Sequence, residues 1–418
     1  MTRAEKIKKS IQETKKRRED KKAIVYQLKL QNLSGRAQEL LGRAFLEAKW
    51  LYNWLVSDTR RLELPANKVC SVEVKVGETF EERQLTFLGS QVKQEVADRI
   101  HDNLKALARL KKNGHKVGVL KPKRFVNSIP LKQYGITYKL DFARNRVRIQ
   151  NLGGFRVLGL HQIPPTAEIA NAVLVRKPSG YYLHVTCYLP KEYFHREPVA
   201  EMVGIDFGVG SKLTLSNGLK INFEVRETPR LKRLQMRLAR TKKGSRNREK
   251  IRFLLRKEYE KLNNRRRDAQ NKILAFLRLY KKVVFQDDCI NGWTTLFGRQ
   301  VHSSGIGGLK SRLRTSLETP IVVKRVEPTT RECFACGKRH KMTLSSRTIK
   351  CDCGWECDRD VNGALVVARK GLGLSPDQAV RLDWPELKPL ERKATAQILG
   401  SNPYICVSFL EEGGSSTP

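Results

Sequence analysis

Two kinds of metal-binding side chain crowd one short stretch of this chain. Cys351-Asp352-Cys353-Gly354-Trp355-Glu356-Cys357 closes a cysteine cluster, and Asp358-Arg359-Asp360-Val361-Asn362 follows at once. Upstream, Cys333-Phe334-Ala335-Cys336 supplies another pair, separated from Cys351 by a basic segment of 14 residues. Zinc takes four soft ligands in a tetrahedron, and two short chelating loops can supply two each. Cys333 and Cys336 form one such loop, while Cys351, Cys353 and Cys357 compete for the other two positions. Gly354 is the residue type a knuckle turn wants, which favours Cys353. Five of the nine cysteines fall within residues 333–357. A secreted disulfide scaffold spreads its cysteines through a shorter chain, so zinc in a reducing compartment is expected.

Carboxylates are the second candidate chemistry. Asp206 lies in the apolar run Val203-Gly204-Ile205-Asp206-Phe207-Gly208, where an ionised side chain is costly unless a metal or hydrogen bonds compensate it. Gly204, Gly208 and Gly210 permit the close backbone approach that phosphate or metal would need. Asp287 and Asp288 end a second apolar run, Lys282-Val283-Val284-Phe285-Gln286, and Asp360 follows the cysteines. Three carboxylates from separate elements can hold two magnesium ions about 4 Å apart, the arrangement that activates a water and stabilises a leaving oxygen in phosphodiester cleavage.

The elements that must position these groups are legible in the apolar spacing. Ala23–Leu30 and Glu201–Asn217 have strand character, and Ala172–Arg176 and Tyr181–Tyr188 form a hairpin around Pro178-Ser179-Gly180. Short basic strands are expected over 136–142, 146–149 and 155–158, and another strand over Pro320–Val326. Helices are expected after the cap Ser34, over Gln91–Lys112, and from Thr228-Pro229 onward with a break at Lys242–Ser245. Trp50, Tyr52 and Trp54 fit a helical core better than a base-stacking platform. Val361–Val367 has helical spacing and carries Asp360 at its start. Residues beyond Leu372 read as irregular, ending in the flexible Gly413-Gly414-Ser415-Ser416.

Charge narrows the partner. Among 418 residues, 82 Lys and Arg face 42 Asp and Glu, a net charge of +40. A charge of that size repels itself unless a polyanion neutralises it, which points to nucleic acid. No apolar run of about 18 residues could cross a membrane, and the N-terminus lacks a signal-peptide core. Residues 1–22 hold ten basic and four acidic residues and read either as a frayed solvated helix or as a phosphate-binding arm. Arg246, Arg248, Arg252, Arg256, Arg265, Arg266 and Arg267 give the later helices an almost wholly positive outer face, suited to tracking a nucleic-acid backbone.

Together, the Asp206 strand, Gln286-Asp287-Asp288, the run Val326-Glu327-Pro328-Thr329-Thr330-Arg331-Glu332-Cys333-Phe334-Ala335-Cys336-Gly337 and Cys357-Asp358-Arg359-Asp360-Val361-Asn362 resemble the split RuvC nuclease of TnpB proteins. These are the transposon-encoded ancestors of compact type V CRISPR effectors. Lys49–Trp54, the basic helical pair and the irregular tail extend the likeness over most of the chain. The resemblance implies a multidomain α+β protein: a wedge β-barrel with an inserted helical recognition lobe, an RNase H-like (RuvC) α/β domain and a zinc-ribbon insertion. The corresponding boundaries are 1–22 (arm), 23–35 and 116–195 (wedge), 36–115 (recognition lobe), 196–326 and 358–372 (RuvC), 327–357 (zinc ribbon, target nucleic-acid-binding) and 373–418 (tail). It further implies a cytoplasmic prokaryotic RNA-guided DNA endonuclease, with guide RNA and double-stranded target DNA bearing a flanking motif as partners.

Carried over by motif, Asp206 and Asp360 are the first and third catalytic acids and bind magnesium, two ions in all. Cys333, Cys336, Cys351 and Cys353 hold one zinc. Many family members place glutamate where this chain has Gln286, and glutamine cannot supply that charge. Asp288, two residues on and on the same strand face, is the first choice for the displaced second acid, with Asp287 the runner-up. Without either, the chain becomes a nuclease-inactive RNA-guided DNA-binding repressor. A transposase that joins DNA ends is a further alternative. The N-terminal half has no second cysteine cluster, which points to a monomer rather than a dimer.

Overall fold

The charge run at the N-terminus is a helix in the computed structural model: α1 (Arg3–Arg17), with Thr2 and Glu5 closing a capping box. The structure describes residues 2–194, 198, 200–343, 346–381 and 389–409, so Gly413-Gly414-Ser415-Ser416 lies outside the described residues. It forms two units, residues 1–195 and 196–418. In the first, α1 is tethered at its C-terminal end. Arg17, Arg18 and Lys21 all donate to Glu168, at 2.9, 2.9 and 2.8 Å, and Arg18 lies 4.1 Å over the Tyr188 ring.

The alternation at Tyr26, Leu28 and Leu30 becomes β1 (Lys21–Gln31). α2 (Gly35–Ser57) follows, Ser34 accepting from the Ala37 amide as its cap, and α3 (Ser90–Lys112) comes later. Between them the segment expected to be mostly helical contains a hairpin, β2 (Ser71–Val76) and β3 (Thr79–Gln84). Val72, Val74 and Val76 alternate there and Gly77 takes the positive φ of the turn, +63°. Tyr52 is buried and Trp50 and Trp54 are half-buried against the apolar core, as the core reading required.

Six further described strands complete this unit: β4 (Ser128–Leu131), β5 (Tyr138–Asp141), β6 (Arg146–Ile149), β7 (Gly153–Leu158), β8 (Glu168–Lys177) and β9 (Gly180–Pro190), the last closing the expected hairpin. The antiparallel order β4-β8-β9-β1-β7-β6-β5 makes a near-closed seven-stranded barrel.

The second unit is built on a six-stranded mixed sheet. The single strand expected over Glu201–Asn217 is a hairpin, β10 (Ala200–Phe207) and β11 (Leu213–Leu215), because Gly208 turns the chain and its amide meets the Lys212 carbonyl. β12 (Lys220–Phe223) continues the meander. α4 (Pro229–Arg240) and α5 (Arg246–Leu277) carry the basic sequence, capped by Thr228 and Ser245. β13 (Tyr280–Gln286) then pairs parallel to β10, with Ile205 opposite Phe285. α6 (Ile290–Ser304) and α7 (Ile306–Ser316) lead to β14 (Pro320–Val323), parallel to β13 and shorter than expected.

The cysteine segment contributes a two-stranded ribbon, β15 (Thr348–Lys350) and β16 (Glu356–Asp358), and α8 (Arg359–Gly371) follows directly. The tail, expected to be irregular, returns to the sheet. There β17 (Ile405–Ser408) pairs with β12 at the edge, and Leu399 enters the core. The alternation is too short there to stand out, and pairing with an existing edge decides it.

Helix α8 is apolar nearly all round. Val361 through Arg369 are buried, so the helix lies against the sheet on one side and the cysteine segment on the other. Gly204 makes the close approach possible. A Cβ there would meet Ala368 Cβ at 2.7 Å and the Ala368 nitrogen at 3.1 Å, with the Ala364 carbonyl closer still. The glycine expected to admit phosphate or metal instead admits a helix.

A candidate carboxylate site beside a four-cysteine centre

Parallel pairing of β10 and β13 brings their C-terminal ends to one edge of the sheet, where open α/β sheets place ligands. Asp206 stands at the end of β10, Asp288 just past the end of β13, and Asp360 in the first turn of α8. Burial, reinforced by the charges of Asp360 and Asp288, pushes the Asp206 carboxyl well above the usual carboxylate range, with Arg359 opposing. Burial also raises Asp288. Gly363 lets the Asp206 carboxylate rest against α8, for a Cβ there would meet Asp206 Oδ2 at 3.1 Å.

Asp287 and Asp288 part company for a physical reason. Lys310 and Arg314 of α7 each reach an Asp287 oxygen at 2.6 Å, and these bonds hold its carboxyl below the usual range. Lys310 also donates to the Asp288 carbonyl, which fixes the backbone at the strand end. Asp287 is thereby committed to α7, and Asp288 is the one whose charge reaches Asp206. Gln286 is buried and turned elsewhere. Its Nε2 donates to the carbonyls of Lys324 (3.1 Å) and Glu327 (2.6 Å), and its Oε1 accepts from Thr329 Oγ1 at 2.8 Å.

Several residues support the site in ways that the sequence reading left open, Asp358 having read only as a spacer or supporting residue beside Asp360. Asp358 caps α8: its Oδ1 accepts from the amides of Asp360 (3.0 Å) and Val361 (3.2 Å), and its Oδ2 accepts from Lys220 Nζ at 2.7 Å. An aspartate before a helical run is the usual cap signal, and would have found it. The Arg359 guanidinium lies on Asp360, 3.2 Å from Oδ1. Asn362 and Gly363 carried no signal beyond helical spacing.

The cysteines form a tighter group. Cys333 and Cys353 sulfurs stand 3.7 Å apart and Cys336 and Cys351 sulfurs 3.5 Å, and all four lie within 4.8 Å of one another. Four sulfurs about 2.3 Å from one zinc would be about 3.8 Å apart, so this donor set fits zinc in both chemistry and spacing. Cys357 sits on β16 outside the group, opposite Ile349. The two knuckles repeat one geometry. Cys333 and Cys351 amides donate to the carbonyls of Lys338 and Trp355, and Gly337 (φ +76°) and Gly354 (φ +87°) turn the chain after each pair. Burial drives the Cys333 thiol up to about 12, while a hydrogen bond from the Cys353 backbone leads those that bring Cys351 down to about 6.

The carboxylates do not converge within 4.8 Å as the sulfurs do. Two ions about 4 Å apart, each about 2.1 Å from its oxygens, reach across about 8 Å between outer ligands. Oxygen donors of this kind suit a hard cation such as magnesium.

The seven arginines of the basic face divide. Arg246, Arg256, Arg265 and Arg267 are exposed. Arg248 instead closes the C-terminal end of α4, donating to the carbonyls of Leu238 (2.7 Å) and Thr241 (2.6 Å). Arg252 pairs with Glu249 at 2.7 Å, and Arg266 donates to the Ser303 carbonyl at 3.2 Å.

Fold and site define a class: a strongly basic α+β protein with acids at one sheet edge and a four-cysteine centre, joined through one helix. Residues 185–285 match the OrfB family of IS605-type elements, described as "Probable transposase", and residues 314–367 match the Cas12f1-like TNB domain. The chain thus carries one segment similar to the OrfB family and another similar to the Cas12f1-like TNB domain. A "Putative RNA-guided DNA endonuclease" of Streptomyces pristinaespiralis is 33% identical over 184 residues, 41% of this chain and 46% of the relative. The "Putative RNA-guided DNA endonuclease InsQ" of Escherichia coli K12 is 25% identical over 262 residues, 56% of this chain and 64% of the relative. The chain therefore spans about half to two thirds of these relatives. A solved Cas12f1–sgRNA–target DNA complex aligns over 80% of this chain and 81% of its own, with TM-score 0.39 and 14% identity.

Proposed function

We propose that this protein is an RNA-guided DNA endonuclease with a single RuvC-type site. The observation that carries the proposal is that Asp206, Asp288 and Asp360, from two strand ends and a helix, lie half-buried at one edge of the sheet, near enough for the charges of Asp288 and Asp360 to act on Asp206. Bound there, two magnesium ions would supply an activated water and charge stabilisation for phosphodiester hydrolysis. Asp206, Asp288 and Asp360 would hold them, the Asp358 cap fixes the turn bearing Asp360, and the ion pairs from α7 keep Asp287 out of the site. Cys333, Cys336, Cys351 and Cys353 would hold one zinc.

In this reading residues 23–35 and 116–195 are the wedge barrel and 36–115 the recognition lobe. Residues 196–326 and 358–372 make the RNase H-like RuvC domain, and 327–357 the target-binding zinc ribbon. The partners are a guide RNA, which pairs with the target strand, and double-stranded DNA carrying a short flanking motif. The exposed Arg246, Arg256, Arg265 and Arg267 would contact backbone phosphate. The protein would act as a monomer in the bacterial cytoplasm, and no described helix is long and apolar enough to cross a membrane.

One observation favours a second reading. Gln286 stands where many family members carry a glutamate, and its amide is spent on backbone carbonyls. If Asp288 does not replace that acid, the protein is a nuclease-inactive RNA-guided repressor. The test is to sequence the RNA bound to the expressed protein and offer matched DNA in magnesium. The nuclease reading predicts cleavage by the wild type, and binding without cleavage by Asp206→Ala. Intact DNA with wild-type protein, tightly bound, establishes the repressor instead.

A further inference from the structure

Helix α8 carries more than Asp360. Two residues on, Asn362 is fully buried and every polar atom of its side chain is used. Its Oδ1 accepts from the Phe334 amide and from Trp355 Nε1, both at 3.1 Å, and its Nδ2 donates to the Glu332 carbonyl at 2.7 Å. Phe334 lies inside the first cysteine knuckle, and Trp355 immediately follows the second. One side chain on the helix that bears a candidate catalytic acid therefore holds both halves of the four-cysteine centre. Two turns further along the same face, Arg369 is also buried. It donates to the carbonyls of Cys333 (3.3 Å) and Phe334 and pairs with Glu332.

We propose that Asn362 is a positioning residue that couples the four-cysteine centre to the carboxylate site, so that zinc at the cysteines strengthens divalent-ion binding at Asp206, Asp288 and Asp360. The inference rests on the nuclease reading of those carboxylates.

Buried polar groups must keep their hydrogen-bond partners. Asn362 has no water to turn to, so it keeps its partners only while the two knuckles stay side by side. Their sulfurs stand 3.5–3.7 Å apart across the pairs, and a zinc bound there would hold four sulfurs at that spacing. If the knuckles separate, the Phe334 amide and the Trp355 indole part, because each belongs to a different knuckle, and their ring contact at 5.3 Å opens with them. Asn362 must then move to find partners, and the first turn of α8 moves with it. Asp360 lies in that turn, held by Asp358, which also ends β16 of the cysteine ribbon. By linkage, an ion at the carboxylates must in turn favour the zinc-loaded state.

The test uses the full chain, with Mn²⁺ as the probe ion followed by electron paramagnetic resonance. A chromogenic chelator follows zinc release separately. Mn²⁺ prefers oxygen donors, and Asp206→Asn identifies the fraction bound at the carboxylates. The expected result is that Cys336→Ser, which removes an exposed zinc ligand, weakens the Asp206-dependent Mn²⁺ binding about tenfold. Asn362→Ala should weaken it similarly in zinc-loaded protein and hasten zinc release. The double variant should be no worse than either single one, since both cut the same link. Additive losses in that cycle would mean ordinary structural damage and overturn the proposal. So would Mn²⁺ binding that depends on Asp206 but ignores zinc.

Mn²⁺ binding that ignores Asp206 altogether refutes the nuclease reading first, and the coupling with it. Trp355→Phe keeps the ring against Phe334 and removes only the indole donor, so it carries the same test if Asn362→Ala fails to fold. It should lower the zinc dependence of Mn²⁺ binding, and an unchanged dependence counts against the proposal.

Discussion

Gly204→Ala puts one methyl group between the strand that carries Asp206 and the helix that carries Asp360. The added Cβ would stand 2.7 Å from Ala368 Cβ and 3.1 Å from the Ala368 nitrogen. Carbon atoms rest about 3.5–4.0 Å apart, so α8 must retreat from β10 by about 1 Å. Neither neighbour is a flexible side-chain end, so no rotamer change absorbs the clash. Overpacking of this kind costs about 1–3 kcal/mol. A displacement of about 1 Å between catalytic groups lowers the rate about 100-fold. Urea unfolding, hydrogen exchange over α8 and initial rates on guide-matched DNA in saturating magnesium measure the three consequences. Gly210→Ala is the control for stability, because a Cβ there meets nothing within 4 Å, and its midpoint should stay within about 0.5 kcal/mol of wild type. Wild-type stability, exchange and rate in Gly204→Ala would refute the view that this one contact sets the distance between the two acids.

Three other outcomes are expected. Asp288→Ala abolishes cleavage, whereas Asp287→Ala leaves measurable cleavage and chiefly loosens the contact with Lys310 and Arg314, and the reverse ranking in a plasmid-nicking assay assigns the second acid to Asp287. Gln286→Glu does not raise activity, because the new carboxylate would face the carbonyls of Lys324 and Glu327. It lowers stability by about 2–3 kcal/mol in chemical denaturation, and a faster enzyme contradicts the assignment. In the first unit, burial raises Glu168, but ion pairs from Lys21, Arg18 and Arg17 prevail and bring it to about 2. A depressed folded pKa gives stability that is present above the unfolded value of about 4.5 and is lost as pH falls toward 2. Glu168→Gln should therefore cost stability at pH 6 and little near pH 2, and an equal cost at both would contradict the ion-pair account.

Much of the architecture was legible in the residues, for reasons that differ from place to place. Long amphipathic helices with caps, such as the one starting at Ser34, announce themselves because period and cap agree. The strands bearing Asp206 and Gln286 show as apolar runs because both faces of the sheet are covered there. The cysteine centre followed from ligand spacing, but choosing among Cys351, Cys353 and Cys357 needed the geometry of the knuckles.

Less local features were hidden. The β2–β3 hairpin lies inside an otherwise helical segment, and β17 forms only because β12 offers an edge. Gly204 read as room for a ligand, since nothing in its neighbours says that a helix will come from residue 364. The arginines on α5 looked alike, yet Arg248 is committed to carbonyls at the end of α4 and Arg266 to the Ser303 carbonyl far along the chain. Asn362 gave no sign of its partners, which sit about 7 and 28 residues away.

The central claim is that Asp206, Asp288 and Asp360 form one divalent-ion site. Anomalous scattering from crystals of the full chain grown with Mn²⁺ tests it most directly. The account predicts two peaks about 4 Å apart, bounded by those three carboxylates. A lone peak at Asp287, or no peak at the end of β10, would contradict it.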